Sequence, residues 1–127
     1  MRLLLDTHVF LWFITGDSRL PEPFKEAILD TENEVLLSVA SFWEIVVKNQ
    51  LGKLPLPESP GTYIPKEREL HQILSLPILE SDFVQLSSLP LIHRDPFDRI
   101  LICQAIANEM TIATVDPIIK SYDVVCL

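Results

Sequence analysis

The stretch "LIHRDPFDRILICQAIA", residues 91–107, sets two aspartates three residues apart at the start of a nearly all-apolar segment. Asp95-Pro96 reads as a helix start. Asp accepts free N–H groups of the first turn, and Pro is preformed for the first helical position. Asp98 falls in that same turn, and residues three apart share a helix face. Ile100, Leu101, Ile102 and Cys103, then Ala105, Ile106 and Ala107, are apolar almost all round, so this helix is expected to be buried. Two carboxylates therefore stand where a core helix emerges. They read either as a cap with a dipole partner or as part of a site.

Working outward, short apolar runs alternate with helical patterns. "RLLLD" (2–6) reads as a buried strand, "HVFLWFITG" (8–16) as a short helix and "PEPFKEAILDT" (21–31) as a second helix. "NEVLLS" (33–38) is the next strand. "VASFWEIVVKNQLGKL" (39–54) is a helix closed near Gly52, and "PLPESPG" (55–61) is a connection. "YIPKERELHQIL" (63–74) reads as an exposed helix, "SLPI" (75–78) as a third strand and "ESDFVQLSSL" (80–89) as a helix. After the Asp95 helix come the strand "TIATVD" (111–116), the turn "PIIKSY" (117–122) and a closing strand "VVCL" (124–127). This alternation predicts one α/β domain over 1–127 with a mainly parallel sheet.

The chain of 127 residues is large enough for a real core, and with 48% hydrophobic residues and three Gly it is not of disordered composition. Its apolar runs are too short to span a bilayer, and "MRLLLD" reaches a charge too soon for a secretory signal. The expectation is a soluble cytoplasmic protein without membrane partners. Cys103 and Cys126 form no C-x-x-C pair and read as buried free thiols in apolar settings. The net charge of −8, from 10 Lys and Arg against 18 Asp and Glu, disfavours broad affinity for nucleic acid.

In parallel α/β sheets, ligands bind outside the carboxyl ends of the strands. Asp6 ends the first strand and Asp116 the fourth. Asp95 and Asp98 open the helix before the fourth strand. Glu44 lies between Trp43 and Ile45, on no obvious polar face. Each acid also has a local reading. Asp6 could end a strand and start a turn, Glu44 could close a capping box with Ser41, Asp95 and Asp116 could cap helices, and Asp98 could complement a helix dipole. If the acids converge, they need compensation. Two like charges about 4 Å apart repel by on the order of 4 kcal/mol at an effective dielectric near 20. A divalent cation is the ordinary remedy, and an all-oxygen site suits Mg²⁺ or Mn²⁺.

"LLLDTHVFLWF", "SFWEIVVKNQLGKL", "HRDPFDRILICQA" and "TIATVD" together resemble a PIN domain, and more narrowly the VapC-type ribonuclease toxins of toxin–antitoxin pairs. The resemblance runs through nearly the whole chain. It implies a three-layer α/β/α sandwich and an Mg²⁺- or Mn²⁺-dependent endoribonuclease that is a homodimer with a small antitoxin partner. Carried onto this sequence, the four catalytic acids are Asp6, Glu44, Asp98 and Asp116, with Thr114 as polar support. Asp6, Asp98 and Asp116 are the implied metal holders. Asp95 belongs to the "DPFD" variant, as a fourth holder or only a cap. Glu44 is assigned to the attacking water.

RNA is expected to meet a local patch drawn from Lys48, Lys53, Arg94 and Arg99, which lie near the acids in sequence. His8 and His93 are expected to serve packing or hydrogen bonding. Phe10, Trp12, Phe13 and Trp43 are expected either to line a dimer or antitoxin interface or to pack into the core. A haloacid-dehalogenase phosphatase needs a second Asp where this chain has His8, and a receiver domain needs paired early acids that are absent. A non-catalytic PIN-like RNA- or protein-binding module remains the alternative.

Overall fold

The computed structural model describes residues 1–127 and contains four strands and seven helices. They are β1 (Arg2–Leu5), α1 (Thr7–Thr15), α2 (Glu22–Leu29), β2 (Glu34–Ser38), α3 (Val39–Gln50), α4 (Pro60–Leu70), β3 (Leu74–Leu76), α5 (Glu80–Ser88), α6 (Pro96–Ala107), β4 (Thr111–Ala113) and α7 (Pro117–Lys120). The sheet order is β3-β2-β1-β4, and every pairing is parallel.

The unbroken apolar run of β1 has a direct cause. Successive side chains of a strand point to opposite faces, and here both faces are covered. Leu3 and Leu5 join Val35 and Leu37 in a core closed by α1, α2 and α4. Leu4 joins Leu36 and Ile112 in a second core closed by α6 and α7. The helix α3 contributes to both, Ile45 to the first and Ala40 to the second. This is the three-layer α/β/α sandwich expected from the sequence. No helix is long and apolar enough to cross a membrane.

The register fixes the site. Leu4 stands opposite Ile112 and Leu5 opposite Ala113. The residues that leave the carboxyl ends of β1 and β4 therefore emerge side by side, and the Asp6 amide donates to the Ala113 carbonyl at 3.0 Å. From β1 the chain builds outward through β2 to β3 and then crosses to β4 on the other side. The β1/β4 junction is thus the topological switch point, where such sheets open a crevice.

Four expectations need correction. The fourth helix starts at Pro60, because Pro sits well at a first helical position, and it ends at Leu70. Gln72 then takes φ 56° and redirects the chain into β3. The C-terminal "VVCL" makes one bridge, Ile112 to Cys126, because β4 is only three residues long. Phe10 is wholly buried against the sheet, and Trp12 and Phe13 are half-buried, so α1 spends its aromatic face on the first core; only Trp43 is broadly exposed, at 61%. Cys126 is only partly buried, although both thiols are free.

Since α6 crosses the middle of the second core, truncating it there should leave a cavity. Ile102→Ala is expected to destabilise by about 2–5 kcal/mol. The check is a denaturant titration in which the midpoint falls while the slope stays constant.

Candidate active site

Three of the acids do cap helices, and the caps bring them to the site. Asp6 caps α1 by accepting from the His8 amide, Asp95 caps α6 through Phe97 and Asp98, and Asp116 caps α7 through Ile118. The local readings and the site reading are therefore compatible. The capping box expected between Ser41 and Glu44 does not form. Ser38 caps α3 instead, one turn earlier.

Thr114 links the ends of β1 and β4. Its hydroxyl donates to Asp6 Oδ2 at 2.6 Å and accepts the Asp116 amide at 3.0 Å. Asp6 is only 4% exposed. Burial pushes its carboxyl above the ordinary range, against the hydrogen bonds from Thr114 and His8.

Glu44, 2% exposed, is held from both ends. Thr7 Oγ1 lies 2.7 Å from Glu44 Oε1 and 2.9 Å from Ser41 Oγ. Lys48, one turn along α3, donates to Glu44 Oε2 at 2.6 Å. Burial pulls the Lys48 ammonium down, but this is outweighed by the Glu44 hydrogen bond and by the charges of Glu44, Asp95 and Asp98, which leave it raised.

His93 closes the other side. Its Nε2 lies 2.9 Å from Asp98 Oδ2 and 3.1 Å from Asp116 Oδ2. Ligand atoms of His93, Asp98 and Asp116 all fall within 4.8 Å of one another. Asp98 is pushed up to about 7, first by burial and then by the charges of Asp95, Asp6 and Glu44, with His93 opposing. The acids at the end of β1, on α3 and at the start of α6 therefore sense one another. Their oxygens are the hard donors that Mg²⁺ and Mn²⁺ prefer, and no thiolate lies among them. The residues present fit a divalent cation, which would relieve the crowding.

Of the basic residues, Lys48, Lys53 and Arg94 line one shallow groove of about 410 Å³ beside Asp95. Arg99 does not join them, which corrects its expected place in an RNA-facing patch. It is buried, and its guanidinium donates to the Pro90 carbonyl at 2.8 Å, the Leu89 carbonyl at 3.3 Å and the Tyr122 hydroxyl at 3.2 Å. It lies on the inward face of α6, where the 89–93 loop needs donors. His93 serves hydrogen bonding, as expected, but inside the acid cluster. Sequence reading missed Thr7 and Tyr122 altogether; neither stands in a pattern that marks it.

A second feature adjoins the acids. An apolar groove of about 820 Å³ runs between α3, α5 and α6, lined by Trp43, Ile78, Phe83, Leu86, Leu91 and Phe97 among others. Trp43 meets Phe97 edge-on, with ring centroids 5.0 Å apart. Phe83 and Leu91 remain exposed.

A parallel sandwich with acids gathered at its switch point defines a class of metal-site α/β domains, and comparison with known proteins narrows it. The family model described as the PIN domain matches residues 3–125. The chain belongs to that family. Over 38 residues it is 50% identical to Ribonuclease VapC16 of Mycobacterium tuberculosis, a match covering 30% of this chain and 27% of that relative. Its fold is similar to that in the structure of VapBC2 from Rickettsia felis bound to a DNA fragment from their promoter (TM-score 0.74, 15% identity, 100% of this chain and 98% of that one). It is also similar to VapBC-1 from nontypeable Haemophilus influenzae (TM-score 0.65, 16% identity, 100% and 97%).

The crowded carboxyls make a pH prediction for the metal-free chain. Folded Asp98 keeps its proton up to about 7, whereas unfolded Asp loses it near 3.8. Between those values the folded state binds more protons, so acidification favours it. Melting temperature in EDTA is expected to rise as pH falls from 8 towards 5. Asp98→Asn should flatten that rise.

Proposed function

We propose that this protein is a divalent-cation-dependent endoribonuclease and the toxin of a toxin–antitoxin pair, working in the cytoplasm. The observation that carries this reading is the gathering of Asp6, Glu44, Asp98 and Asp116 at the β1/β4 switch point of a PIN domain. The kinship with a protein named a ribonuclease, and the likeness to VapBC structures, support it.

Asp6, Asp98 and Asp116 would hold the cation, Mg²⁺ or Mn²⁺. Asp95 spends one oxygen on the first turn of α6 and keeps these acids in place. A bound ion would supply Lewis acidity towards a phosphate oxygen and towards water. The chain's own residues do the rest. Glu44, fixed by Thr7 and Lys48, orients the attacking water with its remaining lone pairs. Thr114 keeps Asp6 and Asp116 in register. Lys48, Lys53 and Arg94 steer the RNA phosphates towards the acids. The reaction is hydrolysis of a phosphodiester, with water as nucleophile and no covalent enzyme intermediate.

The small number of free cations suits a selective enzyme. Non-specific affinity for a polyanion comes from phosphate neutralisation, and a chain of net charge −8 has little to spare. Target choice then rests on RNA shape. The apolar groove beside Trp43 suits protein partners: the antitoxin, and a second copy of this chain.

Purified chain freed of antitoxin is expected to cleave structured RNA with Mg²⁺ or Mn²⁺ and to stop in excess EDTA. Asp6→Asn and Asp98→Asn should abolish cleavage, while Asp30→Asn, on the exposed end of α2, should not change it. Mg²⁺ should stabilise wild type by about 2.7 kcal/mol at a hundredfold over its dissociation constant, and the two site variants far less. Cleavage that persists in EDTA defeats the metal mechanism. Failure to cleave any RNA with either ion favours the binding-module alternative.

Light scattering is expected to report a dimer, and Phe83→Ser at the lip of the apolar groove should shift it towards monomer. A wild type that stays monomeric and ignores the antitoxin encoded beside it removes the partner assignment.

A further inference from the structure

The ring of His93 is wired in one sense only. Its Nδ1 accepts the backbone amide of Asp95 at 3.2 Å. A nitrogen that accepts carries no proton, so in the neutral ring the proton sits on Nε2. Nε2–H therefore donates, to Asp116 Oδ2 at 3.1 Å, with Asp98 Oδ2 2.9 Å from the same nitrogen.

This wiring is the reverse of a metal-ligating histidine. A ligating ring offers a lone pair to the ion and donates its other N–H to a carbonyl or carboxylate. Here the second nitrogen meets a donor, and the nitrogen facing the acids has its lone pair tied up by a proton. His93 lies where a ligand could lie, but it points a hydrogen at the oxygens.

The loop carrying His93 is built to hold it there. The Tyr122 hydroxyl accepts the amides of Ile92 at 3.0 Å and His93 at 2.6 Å and donates to the Pro90 carbonyl at 2.8 Å. Buried Arg99 ties the same loop to α6 through Pro90 and Leu89. The 89–93 segment is thus pinned by Tyr122 and by Arg99, and the ring projects from it into the acid cluster.

We propose that His93 is a placeholder for the cation: its Nε2–H donates to Asp116 Oδ2 while the ring stands beside Asp98 when no ion is present, holds the two side chains at a separation an ion can use, and gives up that space when the ion binds. His93 is then a positioning residue, not a ligand. It competes with the ion and also prevents the metal-free site from springing apart. This rests on the assignment of Asp98 and Asp116 as holders of a divalent cation.

The test uses the full chain, free of antitoxin, as wild type, His93→Ala and His93→Gln, the last retaining a donor at the ε position. Three readouts apply: ring nitrogen NMR in EDTA, melting temperature in EDTA, and calorimetric Mg²⁺ binding. The expected ring tautomer is protonated at Nε2 and bare at Nδ1. His93→Ala should melt lower in EDTA, and His93→Gln should recover most of that loss. Mg²⁺ should bind His93→Ala no more weakly than wild type, and should raise its melting temperature by more.

A proton on Nδ1, or Mg²⁺ affinity lowered by about tenfold or more in His93→Ala as expected for a lost ligand, overturns the placeholder. An unchanged melting temperature for His93→Ala in EDTA overturns it as well. If wild type binds no Mg²⁺ or Mn²⁺ at all, the proposed function falls and takes this inference with it, whereas weakened binding confined to His93→Ala strikes the inference alone.

Discussion

The hydroxyl of Thr114 holds this structure's site together. It donates to Asp6 and accepts from the amide of Asp116, so one buried group ties the end of β1 to the end of β4. That tie is possible only because β1 and β4 run parallel in one register, with Leu5 opposite Ala113. A slip of one residue would turn every side chain to the opposite face of the sheet and separate the acids. The requirement that both faces of β1 be apolar and the requirement that Asp6 meet Thr114 are therefore a single constraint on the pairing.

Around that tie the chain handles an electrostatic problem. Several carboxylates share one small region in a fold that excludes water from part of it. Each is given a different relief. Asp6 receives two hydrogen bonds, Glu44 a lysine and a hydroxyl, Asp116 the imidazole of His93 and the amide of Ile118, and Asp98 retains a proton up to about 7. Helix starts help throughout, because the first turns of α1, α6 and α7 offer free N–H groups and the positive end of a dipole. Capping is the means by which three of these acids are placed. It is not a competing explanation for them.

The surface beside the acids combines two unlike patches. Lys48, Lys53 and Arg94 gather on one side of the "DPFD" turn, while Trp43, Phe83, Leu91 and Phe97 line the apolar groove on the other. Phe97 lies between them and lines both. The same short turn thus carries an acid of the site, a wall of the basic groove and a wall of the apolar one. A polyanion and a protein partner using those grooves would approach the acids from adjoining sides.

Much of this was legible in the amino-acid order. The alternation of apolar runs with helical patterns, the acids at strand ends and the Asp-Pro helix start depend on neighbours close in the chain, and those local preferences survive folding. Trp12 and Phe13 show where such reading stops, because composition marks them as apolar but only packing decides how much of each stays exposed. The same holds for the polar contacts. Thr7 reaches Glu44 across 37 positions, His93 reaches Asp116 across 23, and Thr114 reaches Asp6 across 108. Arg99 stands one residue from Asp98 yet turns inward to backbone carbonyls, because successive residues of a helix point about 100° apart. The sequence by itself determined which groups could ionise, cap or pack. Which of them meet was decided by the tertiary structure alone, since a hydrogen bond needs its partners within about 3 Å and only the register of the sheet and the packing of α3 and α6 on it set those distances.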